Sequence, residues 1–282
     1  MKKKIFTAIC FIIVIVALSC KDKPNELQQA GLKSEVKSIR EITYLAIGNQ
    51  DTIVQGDAVM TQDNKNYYAT YNTDGNMLQI ITYDNLNTQL DKWIFAYNDK
   101  GIALGGNYYS ADNTLMDSTR YIYDSKGNVT EYYHYFEGGK LKSKILSSYD
   151  RRGNIVEEKL IDSDNLIYRT TKCKYKKNNL TEDSVFDAYN ALLYRSSYIY
   201  DNKDNLIRQT IYNADNSVNS SGHYTYNEYG DMISSKTEMN GQPSLYYTFS
   251  YTYDKKNNWV KKITFINGDA AYLTIRQIEY YK

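Results

Sequence analysis

Two histidines, three cysteines and several aspartate-rich turns are the residues of this chain that could do more than pack. His134 lies in the alternating run Glu131-Tyr132-Tyr133-His134-Tyr135, and His223 lies far from it. Neither has a serine, cysteine or carboxylate partner at the spacing of a nucleophilic triad, so both read as surface or cross-strand residues. Two isolated histidines do not make a tetrahedral metal site. Asp162-Ser163-Asp164-Asn165 is composed like a calcium loop, but it lacks the spaced ligands and closing glutamate such a loop needs. Its aspartates read as turn formers. With no phosphate-cradling glycine loop either, the chain is expected to have no catalytic residues, no metal and no cofactor.

The cysteines point to location instead of catalysis. Lys2, Lys3 and Lys4 precede a fourteen-residue apolar run, Ile5 to Leu18, and the stretch ends Ala17-Leu18-Ser19-Cys20. The run is short for a spanning helix and suits a secretory leader. Its end resembles a bacterial lipobox, with Leu18 one place later than the commonest form. That resemblance implies cleavage before Cys20 and a lipid on that cysteine, giving a membrane anchor without a membrane span. Lys21 follows where aspartate would favour the inner membrane, so the outer membrane is expected. Cys10 leaves with the leader, and Cys173 alone can form no internal disulfide. It reads as a small apolar residue in a strand column.

Removing the three leader lysines leaves 31 basic against 33 acidic residues, mixed along the chain. This is not the basic face of a nucleic-acid binder.

The elements that would position any site are repeats. A motif tyrosine recurs as Tyr71, Tyr97, Tyr123, Tyr149, Tyr175, Tyr200, Tyr226 and Tyr253, at steps of 26, 26, 26, 26, 25, 26 and 27 residues. Each unit holds two turns rich in Gly, Asn and Asp, such as Lys126-Gly127-Asn128 and Glu137-Gly138-Gly139, and between them two strands of alternating pattern. Thr119, Tyr121 and Tyr123 should face one way, Arg120 and Ile122 the other. The pattern predicts an all-β, single extended and coiled antiparallel β-meander or solenoid of about eight 26-residue hairpin repeats. Tyr83, Tyr109, Tyr135, Tyr212 and Phe265, each twelve residues after a motif tyrosine, should form stabilising aromatic rows. The organisation is expected to be residues 1–19 as leader, 20–32 as lipidated tether and 33–282 as the repeat sheet, with 33–60 capping its open end and 61–282 the repeats. Lys282 would then charge the last edge.

Tyr121-Ile122-Tyr123-Asp124-Ser125-Lys126-Gly127-Asn128-Val129 resembles the YD repeat of the Rhs family, and the likeness extends over about three quarters of the chain. In large Rhs proteins such repeats imply a sheet spiralling around a toxin. This chain is too short for that and is more similar to small YD-repeat lipoproteins. The fold expectation gains from the likeness; the function gains little.

What remains is a surface. Exposed aromatics on a curled sheet suit a stacked sugar or an extended peptide, and Trp93, Tyr109, Tyr133, Tyr247 and Trp259 are the candidate ligand contacts. The expected role is a non-catalytic envelope scaffold for a glycan or protein ligand. An immunity or antitoxin partner is the alternative, with an envelope-polymer hydrolase behind it. Replacing the anchor residue, Cys20→Ser, should move the protein from the membrane to the soluble fraction and remove the lipid mass, checked by fractionation and mass spectrometry.

Overall fold

Alternating apolar and polar residues broken by Asn, Gly and Asp make strands and reversals along the whole chain. A computed structural model describes residues 25–48, 52–61 and 66–282; the leader and the expected lipidation residue Cys20 lie outside the described residues. A single helical turn, α1 (Glu26–Gln29), precedes nineteen strands. They are β1 (Val36–Ile47), β2 (Val54–Ala58), β3 (Asn66–Tyr71), β4 (Met77–Tyr83), β5 (Gln89–Tyr97), β6 (Ala103–Ser110), β7 (Leu115–Tyr123), β8 (Val129–Phe136), β9 (Leu141–Tyr149) and β10 (Ile155–Asp162). There follow β11 (Ile167–Lys176), β12 (Asn179–Asp187), β13 (Leu192–Tyr200), β14 (Leu206–Asn213), β15 (Val218–Tyr226), β16 (Met232–Met239), β17 (Gln242–Tyr253), β18 (Trp259–Ile266) and β19 (Asp269–Tyr280).

From β3 to β19 each strand pairs antiparallel with the next. β1 pairs with β19 along Val36–Leu45 and with β3 along Ser38–Glu41, so eighteen strands close into an antiparallel barrel. β2 stays outside the ring, paired with the end of β1. The expected open, coiled ribbon is therefore corrected to a barrel. The segment 33–60, expected to cap an open end, instead supplies the closing strand β1. An open ribbon would leave two rows of unpaired backbone groups, and twelve-residue β1 reaches both. No edge is left for Lys282 to charge.

The expected aromatic rows are corrected as well. Like residues recur every second strand, roughly 9–10 Å apart at the usual strand spacing, so they do not touch. On the outer wall a cation fills the gap: Lys92 Nζ lies 5.4 Å from the Tyr109 ring centre, and Arg195 lies 4.1 Å from that of Tyr212. On the inner wall the motif tyrosines bridge the gap through their hydroxyls. Each first turn slips the register by one residue, setting Tyr97 opposite Ala103 and Tyr123 opposite Val129. Pairing of β6 with β7 starts only at Gly105, beyond Ala103. The Ala103 carbonyl is taken instead by the hydroxyl of Tyr123, at 2.7 Å. Tyr97 does the same to Met77 (2.7 Å), Tyr149 to Val129 (2.6 Å) and Tyr226 to Leu206 (2.8 Å).

The fully buried apolar side chains gather where β1 closes the ring. Val36, Ile39 and Ala69 are 0 % exposed and pack with Tyr71, Leu27 and Leu32. Leu27 and Leu32 belong to the stretch read as tether, whose described part thus packs on the barrel. Asn25 caps α1 and donates to the Asp74 carbonyl at 2.6 Å, while the Leu27 amide donates to Gly75. Lys33 exchanges two hydrogen bonds with Asn258, each 2.8 Å. Residues 25–33 therefore strap the first-turn rim from the β3–β4 turn to the β17–β18 turn.

Ile39, Ala69 and Tyr71 mark the inner face, and cross-strand register carries that face around the ring. Eighteen strands make a barrel wide enough that wall side chains do not meet across its axis, which fits an inner face that is mostly half-buried. The opposite face carries exposed Arg120, Lys172, Lys174, Arg208 and Lys236. At a bilayer midplane each such charge would cost about 2–4 kcal/mol.

Tyr149→Phe deletes one inter-unit hydroxyl bond and should cost about 1 kcal/mol, read as a lower urea midpoint at unchanged m. Tyr135→Phe on the outer wall should stay within about 0.5 kcal/mol.

Candidate functional site

Counting by twos from a motif tyrosine toward the strand's start places side chains on the inner wall. From Tyr97 this gives Phe95, Trp93 and Asp91; from Tyr253 it gives Tyr251, Phe249 and Tyr247. Trp93, Tyr247 and Trp259 of the expected ligand contacts accordingly face the lumen. Tyr109 pairs with outward Lys92, and Tyr133 with outward Arg120, so both face outside. The five do not form one patch. Trp93 lies on β5 and Trp259 across the seam on β18.

Trp93 has new neighbours. Its ring lies 6.2 Å from Phe95, nearly parallel at 13°, and 5.2 Å from Tyr108. Gly106, opposite Phe95, lets that ring lie close against the backbone: a Cβ there would come to 3.0 Å of Phe95 Cδ1. Further around the wall Tyr121 meets Tyr132 at 5.5 Å and Tyr123 at 6.4 Å. Carboxylates flank this aromatic surface. Asp91 accepts from the Thr82 hydroxyl at 2.6 Å, and Asp117 pairs across strands with Tyr108. The Tyr108 hydroxyl is pushed up in pKa by burial, then by Asp91, with which it hydrogen-bonds, and by Asp117. His134 Nε2 lies 3.1 Å and Lys142 Nζ 3.2 Å from Asp117 Oδ2. The histidine contact is off the line of a hydrogen bond, so its attraction is Coulombic when the ring is protonated. His134 thus takes a cross-strand place in the lumen, whereas His223 is exposed between outward Arg208 and Lys236.

A second inner cluster sits on the seam. Arg276 Nε is 2.6 Å from Glu41 Oε2, which also accepts from Tyr67 at 3.2 Å. The Arg276 guanidinium stacks 3.3 Å over the Trp259 ring centre, and Lys262 Nζ lies 5.3 Å from it. Burial lowers the Lys262 pKa, Glu41 partly offsetting it. At the strapped mouth Glu26 points among the tyrosines, raising Tyr97 after burial has done so, with one carboxylate oxygen unpartnered among the described residues. Cys173 is half-buried, and burial, then Asp183 and Glu158, push its thiol up to about 11, far from a reactive thiolate.

The aspartate-rich turns spend their oxygens on the backbone. Asp124 Oδ1 accepts from the amides of Lys126 (2.8 Å) and Asn128 (2.9 Å), and Asp162 Oδ1 accepts from those of Asp164 and Leu166. Asn72, Asn98 and Asn227 hold the same bonds at equivalent positions. Among the described residues no group of three metal-ligating side chains is found.

Sequence reasoning missed Arg276, Lys262, Glu41, Asp91, Asp117 and Lys142. The signal for Arg276 was present: it shares parity with Tyr280. Asp91 and Asp117 likewise share parity with Tyr97 and Tyr123, whereas Lys142 and Lys262 lie at or past a register slip and Glu41 outside the repeat.

Compared with known proteins, the chain matches no family model and no curated protein. Among solved structures it is similar to a Photorhabdus luminescens Tc holotoxin pore at 17% identity and TM-score 0.35, over 84% of this chain and 13% of that one. It is similar to a porin-like protein from Bacteroides uniformis at 11% identity and TM-score 0.44, over 88% and 98%. A TcdB2–TccC3 structure gives 16% and 0.35, over 84% and 14%. The chain spans only a small part of the toxin chains. At these TM-scores the fold rests on the chain's own strand pairing.

Burial alone would raise the Asp124, Asp150 and Asp254 carboxyls, but hydrogen bonds outweigh it and hold their pKa below the usual value, those of the turn in Asp124 and Asp150 and first that from the Tyr280 hydroxyl in Asp254; in Asp201 the bond from Asn205 leads. A lowered folded pKa gives stability that is present above about pH 3.9 and lost as pH falls through the lower folded values. The denaturation midpoint should therefore fall below about pH 4. The quadruple Asp→Asn variant at 124, 150, 201 and 254 keeps the amide bonds, as the native asparagines do, and should flatten that acid limb.

Proposed function

We propose that this chain is a lipid-anchored, non-catalytic binding module of the cell envelope, held on the outer membrane through Cys20, with a glycan strand as ligand in the barrel lumen. The observation that carries the reading is the surface of Trp93, Phe95 and Tyr108 between the Asp91 and Asp117 carboxylates. A pyranose ring presents an apolar C–H face to such rings and equatorial hydroxyls to carboxylates beside them, and binding sites typically combine a largely apolar lining with a few placed polar groups.

Residues 25–33 strap one mouth of the barrel, so a ligand enters by the other. The charged outer wall suits a barrel standing in water on a tether.

Binding of envelope oligosaccharides to the mature protein should be measurable by calorimetry. Trp93→Ala should weaken it at least tenfold, about 1.4 kcal/mol, while Tyr133→Ala on the outer wall should change it less than about twofold, or about 0.4 kcal/mol. No saccharide binding, peptide binding in its place, or a Trp93→Ala effect confined to stability would overturn the reading.

A further inference from the structure

The seam cluster holds more positive than negative charge. Glu41 is the one carboxylate beside two cations, and Arg276 uses its Nε to reach it. Lys262 Nζ lies 5.3 Å from the centre of the same Trp259 ring that Arg276 stacks on, and it has neither ion pair nor hydrogen bond among the described residues. It is half-buried on the lumen side of β18, between Tyr251 and Thr274 on the neighbouring strands. A desolvated ammonium without a partner is costly, and a second cation close by raises that cost. An arriving anion relieves both. The two cation types divide the work as oxyanion sites commonly do, with a planar guanidinium for orientation and a compact ammonium for charge. The Trp259 edge gives an apolar wall next to the charged group.

These residues lie on β1, β3, β18 and β19, where the repeat gives way to the closing strand. No unit repeats Lys262, Arg276 and Trp259 together, so the site is a single one in the lumen. The aromatic platform around Trp93 is a separate patch on β5 and β6.

We infer that the seam of the barrel is an oxyanion-binding site, in which Lys262 and Arg276 over Trp259 hold a carboxylate or phosphate group. Joined to the glycan reading, it makes the ligand an acidic saccharide, with the neutral part on the Trp93 surface and the acid group at the seam.

Thermal unfolding of the mature protein, with inorganic phosphate against chloride at equal ionic strength, tests the site without any sugar. At a phosphate concentration about ten times Kd the wild-type midpoint should rise by about 3 °C. The rise should vanish in Lys262→Met and persist in Lys262→Arg, and also in Lys92→Met, which removes an outer-wall lysine. The chloride midpoints show that each variant is folded. A second arm compares glucuronate-containing with neutral oligosaccharides: wild type should prefer the acidic one at least tenfold, and Lys262→Met should lose the preference but keep neutral binding. No phosphate-specific rise, or an equal rise in Lys262→Met, overturns the seam site whatever the sugars do. A phosphate effect that depends on Lys262, with no sugar bound by any variant, keeps the site and overturns the glycan reading alone.

Discussion

The barrel depends on one strand that is not a repeat. Seventeen strands from β3 to β19 pair only with their chain neighbours, and any such ribbon ends in two open edges. β1 meets both, and its inner side chains are among the most deeply buried of the described residues: Val36, Ile39 and Thr43 are fully covered. Hydrophobic burial is concentrated at this seam because only here do strap, closing strand and both ribbon ends converge. Elsewhere the wall is one sheet thick and half-wetted, held mainly by backbone ladders. Such a ring fails by opening at its seam, so the strap bonds that tie Lys33 to Asn258 and Asn25 to Asp74 matter out of proportion to their number.

The doubled spacing of the repeat explains what else holds the wall. A 26-residue unit spans two strands, so equal residues never lie side by side. The motif tyrosine answers this with length: its hydroxyl reaches the start of the intervening strand and takes a carbonyl that the register slip has left without a ladder partner. The slip and the tyrosine are therefore one device. Without the slip the carbonyl would be in the ladder; without the hydroxyl it would be buried and unsatisfied, which costs about 1–3 kcal/mol. Thirty-one tyrosines in the chain reflect this need for a ring that reaches and a tip that donates.

Strands, turns and period were legible because they follow from local alternation and from Gly, Asn and Asp at the reversals. Closure was not, since the pairing of Ile39 with Ala69 and Ile278 joins segments with no shared pattern. The same physics divides the expected ligand contacts. Trp93 and Tyr247 lie on the motif tyrosine's side of the slip, where counting by twos finds the face directly. Tyr109 and Tyr133 lie beyond the slip, where the count shifts by one and the ring turns outward. Trp259 sits at the slip itself, opposite Tyr253, and so returns to the lumen. The polar residues at the site stayed hidden because alternation marks their face but not their neighbours. Asp91 and Asp117 come together only through the pairing of β5, β6 and β7.

Two ways of placing a barrel at a membrane require opposite walls. A spanning barrel puts apolar residues outward and polar ones in its lumen. This chain does the reverse over much of its circumference, with Trp93, Phe95, Tyr121, Tyr132 and Tyr251 inward and Arg120, Lys172, Arg208 and Lys236 outward. An inward aromatic wall in water has little reason to persist unless something covers it, since each ring held half-exposed forgoes part of its burial energy. At one mouth the strap supplies cover through Leu27 and Glu26. Across the rest of the lumen the rings stay half-buried.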